Sequence, residues 1–348
     1  MPWSKFVPSQ VRFGGGRALS YKDAVREAID QALCHDPAVF AIGLDANDRF
    51  GVFGSMLGLT HPERVIGTPI SENAMTGVAL GAALSGLRPI HIHLRPDFML
   101  VAMDQIANYV AKWRHMFQGQ VKVPLVIRAV IGRGWGSGAQ HSQTLHAVFA
   151  HIPGLTVVMP STPYDVKGLF LAAVKEDYPV VFLEHRWLYK NVGPVPEEMY
   201  ILPIGRGEIK RRGDGVTVVA TSIGVIDALN ACEMHALDAE VIDPRTIKPL
   251  DEALILESVK KTGRLLVVDY GFPFCGFAAE VCTLVAEKGF HDLLAPVERI
   301  TFPDCSMPAS GVLEQVYHPN AERIARRIQA MLWGVAPATA AVTARVEA

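Results

Sequence analysis

The segment Gly67–Asp104, GTPISENAMTGVALGAALSGLRPIHIHLRPDFMLVAMD, constrains the fold of this chain more than any other stretch. It reads as loop, helix, strand, loop and helix. Pro69 favours an extended approach and Ser71 suits an N-cap, so a helix is predicted over 72–85, ending at Gly86. Ala, Gly, Val and Leu cover most of that helix, so its backbone can lie close against a sheet or another helix. A strand over 89–94, the break Arg95-Pro96-Asp97 and a helix over about 98–117 follow. Glu72 is the one carboxylate of the first helix and stands at its start. By itself it reads as a first-turn acid that complements the helix dipole.

The rest of the chain repeats this alternation. Ser20 opens a helix to about Cys34, with Asp23 three residues on as in a capping box. Strands are predicted at 38–44, 123–130, 155–159 and 179–184, with helical segments at 142–150 and 163–176 and a long glycine-bearing loop at 45–62. After 204 the pattern resumes with strands at 216–221, 239–243, 264–269 and 297–302. Helices at 225–237, 251–260, 277–288, 309–316 and 320–332 lie between and after them. Strands apolar along their length, separated by helices, indicate parallel sheets covered on both faces. The class is α/β, with two doubly wound domains at 18–188 and 205–333, a proline-bearing linker at 189–204, an N-terminal arm at 1–17 and a disordered tail at 334–348.

With 348 residues and a net charge of −2, the chain has room for two domains and no basic block. Nucleic acid is therefore not an expected partner. The longest apolar runs are strand-sized, and residues 1–17 lack the apolar core of a secretory signal, so neither a membrane span nor export is expected. The five cysteines, at 34, 232, 275, 282 and 305, have no metal or redox spacing. They fit a reduced, cytoplasmic enzyme, with Cys275 and Cys282 on or beside one helix as buried thiols rather than a disulfide.

Three motifs invite chemistry. Gly132–Gly138 has glycine at alternate positions. It lacks both the Lys-Ser/Thr of a P-loop and dinucleotide spacing, and reads as a loop at an active-site mouth. His141, in Gln140-His141-Ser142-Gln143, is either a surface histidine or an acid, base or donor at the end of a parallel strand. His91 and His93 share one face of a strand without a third ligand, which argues against a metal. Gly213-Asp214-Gly215 matches the start of a thiamine diphosphate and magnesium motif. The next asparagine, Asn230, is too close, so the segment reads as a turn.

The ordered series TPISEN, GLRPI, FxxxAxDQIxN, AQHSQ, HIPGLTVVMPSTPYDVKGL and PVVFLE is similar to the beta subunit of the thiamine-diphosphate-dependent, decarboxylating component of 2-oxoacid dehydrogenases. That family serves pyruvate, branched-chain and acetoin substrates. VTVVATS, EVIDPRTIKPLD, KTGRLLVV and GFAAEV extend the resemblance to about 18–333. It implies a transketolase-like fold, with a domain that binds the aminopyrimidine ring followed by the C-terminal transketolase domain. It also implies an α2β2 heterotetramer in which the alpha subunit carries the diphosphate and magnesium site, and a lipoyl acyltransferase as a further partner.

Carried over by residue, the resemblance makes Glu72 the acid on the aminopyrimidine nitrogen, where it favours the imino tautomer that deprotonates thiazolium C2. Burial would raise its pKa for this role. Phe98 and Leu94 would pack the ring, and His141 would meet substrate or acyl acceptor. Potassium would sit near Ala173, Glu176 and Tyr178, held largely by carbonyls. Departures from the family pattern fall at Gly43-Leu44-Asp45, where an acid usually follows the glycine, at 92–97, at Asp269-Tyr270-Gly271 and at Ala309. His93, Arg95 and Gln140 could then face an altered, anionic substrate. That gives a second reading, a split transketolase-like or acyloin-forming carboligase acting on an aldehyde or sugar phosphate. A third is a non-catalytic, regulatory beta-like chain.

Overall fold

A computed structural model describes residues 17–334. The Gly14–Gly16 break and the tail from 335 lie outside the described residues. The first half supplies β1 (Ala18–Ser20), β2 (Val39–Gly43), β3 (Val65–Gly67), β4 (Arg88–His93), β5 (Val126–Ile131), β6 (Thr156–Val158), β7 (Val180–His185) and β8 (Val192–Pro194). The second half supplies β9 (Glu208–Arg211), β10 (Val216–Ala220), β11 (Ala239–Asp243), β12 (Thr246–Lys248), β13 (Leu265–Val268) and β14 (Glu298–Ile300).

One sheet has seven strands in the order β12-β6-β7-β5-β4-β2-β3, and the other has five in the order β14-β13-β10-β11-β9. All pairings in the larger sheet are parallel except β12 on β6. In the smaller sheet only β9 runs antiparallel. The chain is thus α/β with helices packed on mostly parallel strands, as the alternation predicts. Strands β5, β7, β10 and β13 are buried along their whole length, which is why they read as mainly apolar runs, interrupted in β5 and β7 by the paired charges Arg128 and Glu184.

Three expectations about local structure hold: the Ser20 cap, the helix from 163 and the turn at 213–215. Ser20 accepts the Asp23 N–H at 3.1 Å and caps the helix Tyr21–His35. The helix Pro163–Lys175 starts at a Thr162 cap that accepts the Asp165 N–H at 3.1 Å. Gly213–Gly215 forms the bend between β9 and β10, with the Asp214 N–H donating to Asp238 at 2.9 Å.

Others are corrected. Ser71 stands at the N-cap of the helix Glu72–Leu84, but its side chain makes no capping bond. The helix expected over 98–117 is broken into Pro96–Met99, a π-helical turn Gln105–Val110 and Trp113–Met116. Side-chain periodicity over six residues does not distinguish i→i+5 from i→i+4 bonding. The linker 189–204, read as lacking any clear period, contains the short strand β8 and is strapped down. β8 pairs with β1, and the buried ammonium of Lys167 donates to the carbonyls of Pro196, Glu197 and Glu198 at 2.6, 3.1 and 3.0 Å. Of the five thiols only Cys232 is fully buried. Cys34 is exposed; Cys275 is exposed and Cys282 half-buried, where buried thiols were expected. No described helix is long and apolar enough to cross a membrane.

Candidate active site

Parallel sheets bind ligands beyond the carboxyl ends of their strands, and the expected site residues gather there. The Thr68 N–H donates to the Gly43 carbonyl at 3.2 Å, which ties the loop entering the Glu72 helix to the end of β2. Thr76, one turn into that helix, donates to the Glu72 carbonyl at 2.7 Å and lies 2.9 Å from His91 Nε2 on β4. Glu72 is thus anchored through its backbone. Its half-buried carboxyl has no hydrogen-bond partner among the described residues. Phe98 and His141 come together edge to face, 5.0 Å between ring centroids. Gln140 and His141 are exposed and Leu94 is half-buried.

The anionic-substrate assignments of His93 and Arg95 do not survive. His93 is buried against His91, 4.4 Å between ring centroids. Desolvation holds both imidazoles neutral, with His91 pushed down to about 4. No metal-binding cluster exists among the described residues. Arg95 is buried and donates to the Gly132 carbonyl at 2.5 Å. It holds the glycine loop rather than facing solvent. Strict alternation of strand side chains hides both facts, because a turn at 95–97 folds the arginine back under the sheet edge.

That loop is fixed at every step. Gly132, Gly134, Gly136 and Gly138 all have φ between 66° and 125°, where a side chain is strained. The Gly134 N–H donates to Glu314 at 2.5 Å, and Arg133 donates to the Ser142 carbonyl and to Thr144 at 3.2 Å. Asp97 accepts the backbone and side-chain N–H groups of Gln143 at 3.2 and 3.0 Å, which orients the 140–143 segment that carries His141. Of the loop's amides, that of Gly134 is taken up by Glu314.

Beside Leu94 opens a cleft of about 1230 Å³ lined by Arg49, Phe53, Trp135, Arg186 and Trp187. Sequence reasoning passed over these residues. Arg186 directly follows β7 and Trp135 lies in the glycine loop, so their position at strand ends was the available signal.

The expected potassium ligands do not fit a free cation. The guanidinium of Arg88 donates to the carbonyls of Val174, Lys175 and Glu176 at 3.1, 3.2 and 3.1 Å, and to Asp177 at 2.8 Å. An arginine therefore caps this helix end, and the Ala173 carbonyl accepts the Glu176 N–H at 3.3 Å.

Residues 17–191 match the family description "Transketolase, pyrimidine binding domain", and 205–324 match "Transketolase, C-terminal domain". The beta subunit of acetoin:2,6-dichlorophenolindophenol oxidoreductase from Cupriavidus necator is 44% identical over 89% of this chain and 96% of that protein. Subunit beta-1 of the mitochondrial pyruvate dehydrogenase E1 component of Arabidopsis thaliana is 42% identical, covering 90% and 89%. The beta subunit of 2-oxoisovalerate dehydrogenase from Bacillus subtilis is 39% identical, covering 88% and 96%. A solved split-gene transketolase, described as an inactive beta4 tetramer, shares the fold with a TM-score of 0.71 at 21% identity, over 90% of this chain and 98% of that one. The chain belongs to the transketolase-like family of E1 beta subunits of thiamine-diphosphate-dependent 2-oxoacid dehydrogenases.

Proposed function

We propose that this chain is the beta subunit of a 2-oxoacid dehydrogenase component that works with an alpha subunit in an α2β2 assembly, decarboxylates a 2-oxoacid and passes the acyl group to lipoamide on an acyltransferase. The observation that carries this reading is the unpartnered Glu72 carboxyl on the same strand-end edge as the Phe98–His141 pair. A carboxyl with no internal partner at a helix start is available to an outside group.

In this reading Glu72 holds a proton against the aminopyrimidine nitrogen, and Phe98 and Leu94 pack on the ring. When bound, thiamine diphosphate supplies the electron sink for decarboxylation. His141, exposed and braced by Phe98, exchanges a proton with the carbonyl oxygen of the substrate or with the acceptor thiol. The alpha subunit holds the diphosphate and magnesium; no step runs through potassium. Residues 18–188 and 205–333 act as the ring-binding and C-terminal domains.

The test is Glu72→Gln in the complex with its alpha partner, read by dye reduction with 2-oxoacids and with acetoin. Activity should fall roughly 10²- to 10⁴-fold, the range for a positioned proton carrier. The stabilisation of the complex against heat by thiamine diphosphate should shrink in parallel. Full activity of the variant would sink the assignment. Turnover of an aldehyde acceptor without any lipoyl domain would favour the carboligase.

A further inference from the structure

The cleft beside Leu94 carries more positive charge than it can neutralise. Lys22, Arg49, Arg186 and Lys190 line it, against the single acid Asp45. Arg186 is the informative one. Its guanidinium lies over the ring of Phe53 at 4.1 Å and over Trp135 at 4.5 Å, half-buried between them. It makes no ion pair and donates no hydrogen bond among the described residues.

Several arginines elsewhere in the fold are paired. Arg128 is paired with Glu184, Arg245 with Asp165 and Glu208, and Arg88 with Asp177. Burial lowers the pKa of Arg186 somewhat, and a guanidinium stays charged all the same. A half-desolvated cation without an acceptor is unfavourable unless a ligand supplies one. Cation–π contact with two aromatic rings holds the group in place and leaves an N–H edge without an acceptor among the described residues. Such an edge matches a carboxylate or a phosphate with two parallel bonds. The volume of the cleft also exceeds the usual upper range for a small-molecule site, about 1,000 Å³.

We propose that Arg186 sets the substrate class of this site by receiving an oxyanion, carboxylate or phosphate, at the end of the donor remote from its reacting carbonyl. The preferred donor is then dianionic. The inference deepens the function proposed above and rests on it for the reaction, but not for the binding.

The experiment uses the complex with its alpha subunit, thiamine diphosphate and magnesium. Calorimetry measures the binding of glutarate, propyl phosphate and butanoate, none of which can react. Kinetics measures kcat/KM for 2-oxopentanedioate over 2-oxopentanoate. The wild type should favour a dianion over butanoate by roughly 10- to 100-fold, as a charge-assisted bidentate pair supplies. Glutarate or propyl phosphate as the tighter probe identifies the source of the oxyanion. Arg186→Gln should collapse the preference and the kinetic ratio together, and Arg186→Lys should keep part of both. Binding of neither anion, or a preference unchanged in Arg186→Gln, overturns the proposal. So does a variant that weakens the α–β assembly while leaving the preference intact, because Arg186 would then pair with the partner chain. Anion preference without turnover of any 2-oxoacid would defeat the dehydrogenase reading and leave this one standing.

Discussion

Arg128 lies in β5 and Arg186 just past the adjacent β7, and their surroundings are opposite. Arg128 lies in the middle of β5 with no exposed surface. It donates to both oxygens of Glu184, one at 3.1 Å, and to Ser55 at 2.5 Å, and Tyr189 donates to the same carboxylate at 2.9 Å. Arg186 lies just past the end of β7 with aromatic faces and no acceptor. Inside the sheet the charge of Arg128 is closed by its neighbours; at the carboxyl edge that of Arg186 is left open. The same division separates Glu184 from Glu72, one carboxylate enclosed and the other free. Closed charges hold the scaffold, and open ones are what a ligand can use.

Breaking a closed pair should have the largest effect on the fold. Glu184→Gln leaves Arg128 buried without a counter-charge and should cost about 3–5 kcal/mol, seen in denaturant unfolding of the isolated chain. Glu72→Gln should change the same measurement by less than about 0.5 kcal/mol. Equal losses would erase the distinction.

A second test uses pH. The Asp227 carboxyl is buried and pushed up to about 7 by desolvation. Tyr270 donates to the Pro319 carbonyl at 2.7 Å while its oxygen also meets Asp227. One hydroxyl hydrogen cannot serve both, so the protonated carboxyl donates to Tyr270. The native state keeps a proton that the unfolded chain releases near pH 4. Stability should therefore fall by about 1.4 kcal/mol per pH unit from this group as pH rises from about 4 to about 7. Asp227→Asn should flatten that decline in a series of thermal melts, and an unchanged slope would place the loss elsewhere.

The smallest effect concerns Arg88, a partly exposed but fully paired cation. Arg88→Ala should cost about 1–2 kcal/mol, since its bonds are charge-assisted but near solvent. Replacing potassium by sodium should leave the melting temperature of the wild-type chain unchanged. A potassium-specific rise would show that the carbonyls of 174–176 serve a metal after all.

Most of the fold could be read from the chain because buried parallel strands leave mainly apolar runs and helices between them. What escaped were the short strands β1, β3, β8, β9 and β12, at sheet edges or in a two-stranded pair, whose place depends on residues far away in sequence. The π-helical turn at Gln105–Val110 escaped because its apolar spacing mimics an α-helix. At the candidate site, Glu72, Phe98 and His141 were found through motif order, and the structure sets the last two in contact. The charged residues were harder. Arg95 and Arg186 look equivalent in sequence, each just beyond a strand. Only the backbone path decides that one turns under the glycine loop and the other into the cleft.

The strand Thr246–Lys248 also says something about how the chain must be made. It belongs to the second half yet closes the edge of the first half's sheet by pairing with β6. During synthesis, β6 emerges long before its neighbour exists and stays an open template until residue 248 is out. A fragment that stops before this point would carry a bare sheet edge and stick to its copies. The chain therefore matures as one piece, and any future dissection into halves must keep residues 246–248 with the first.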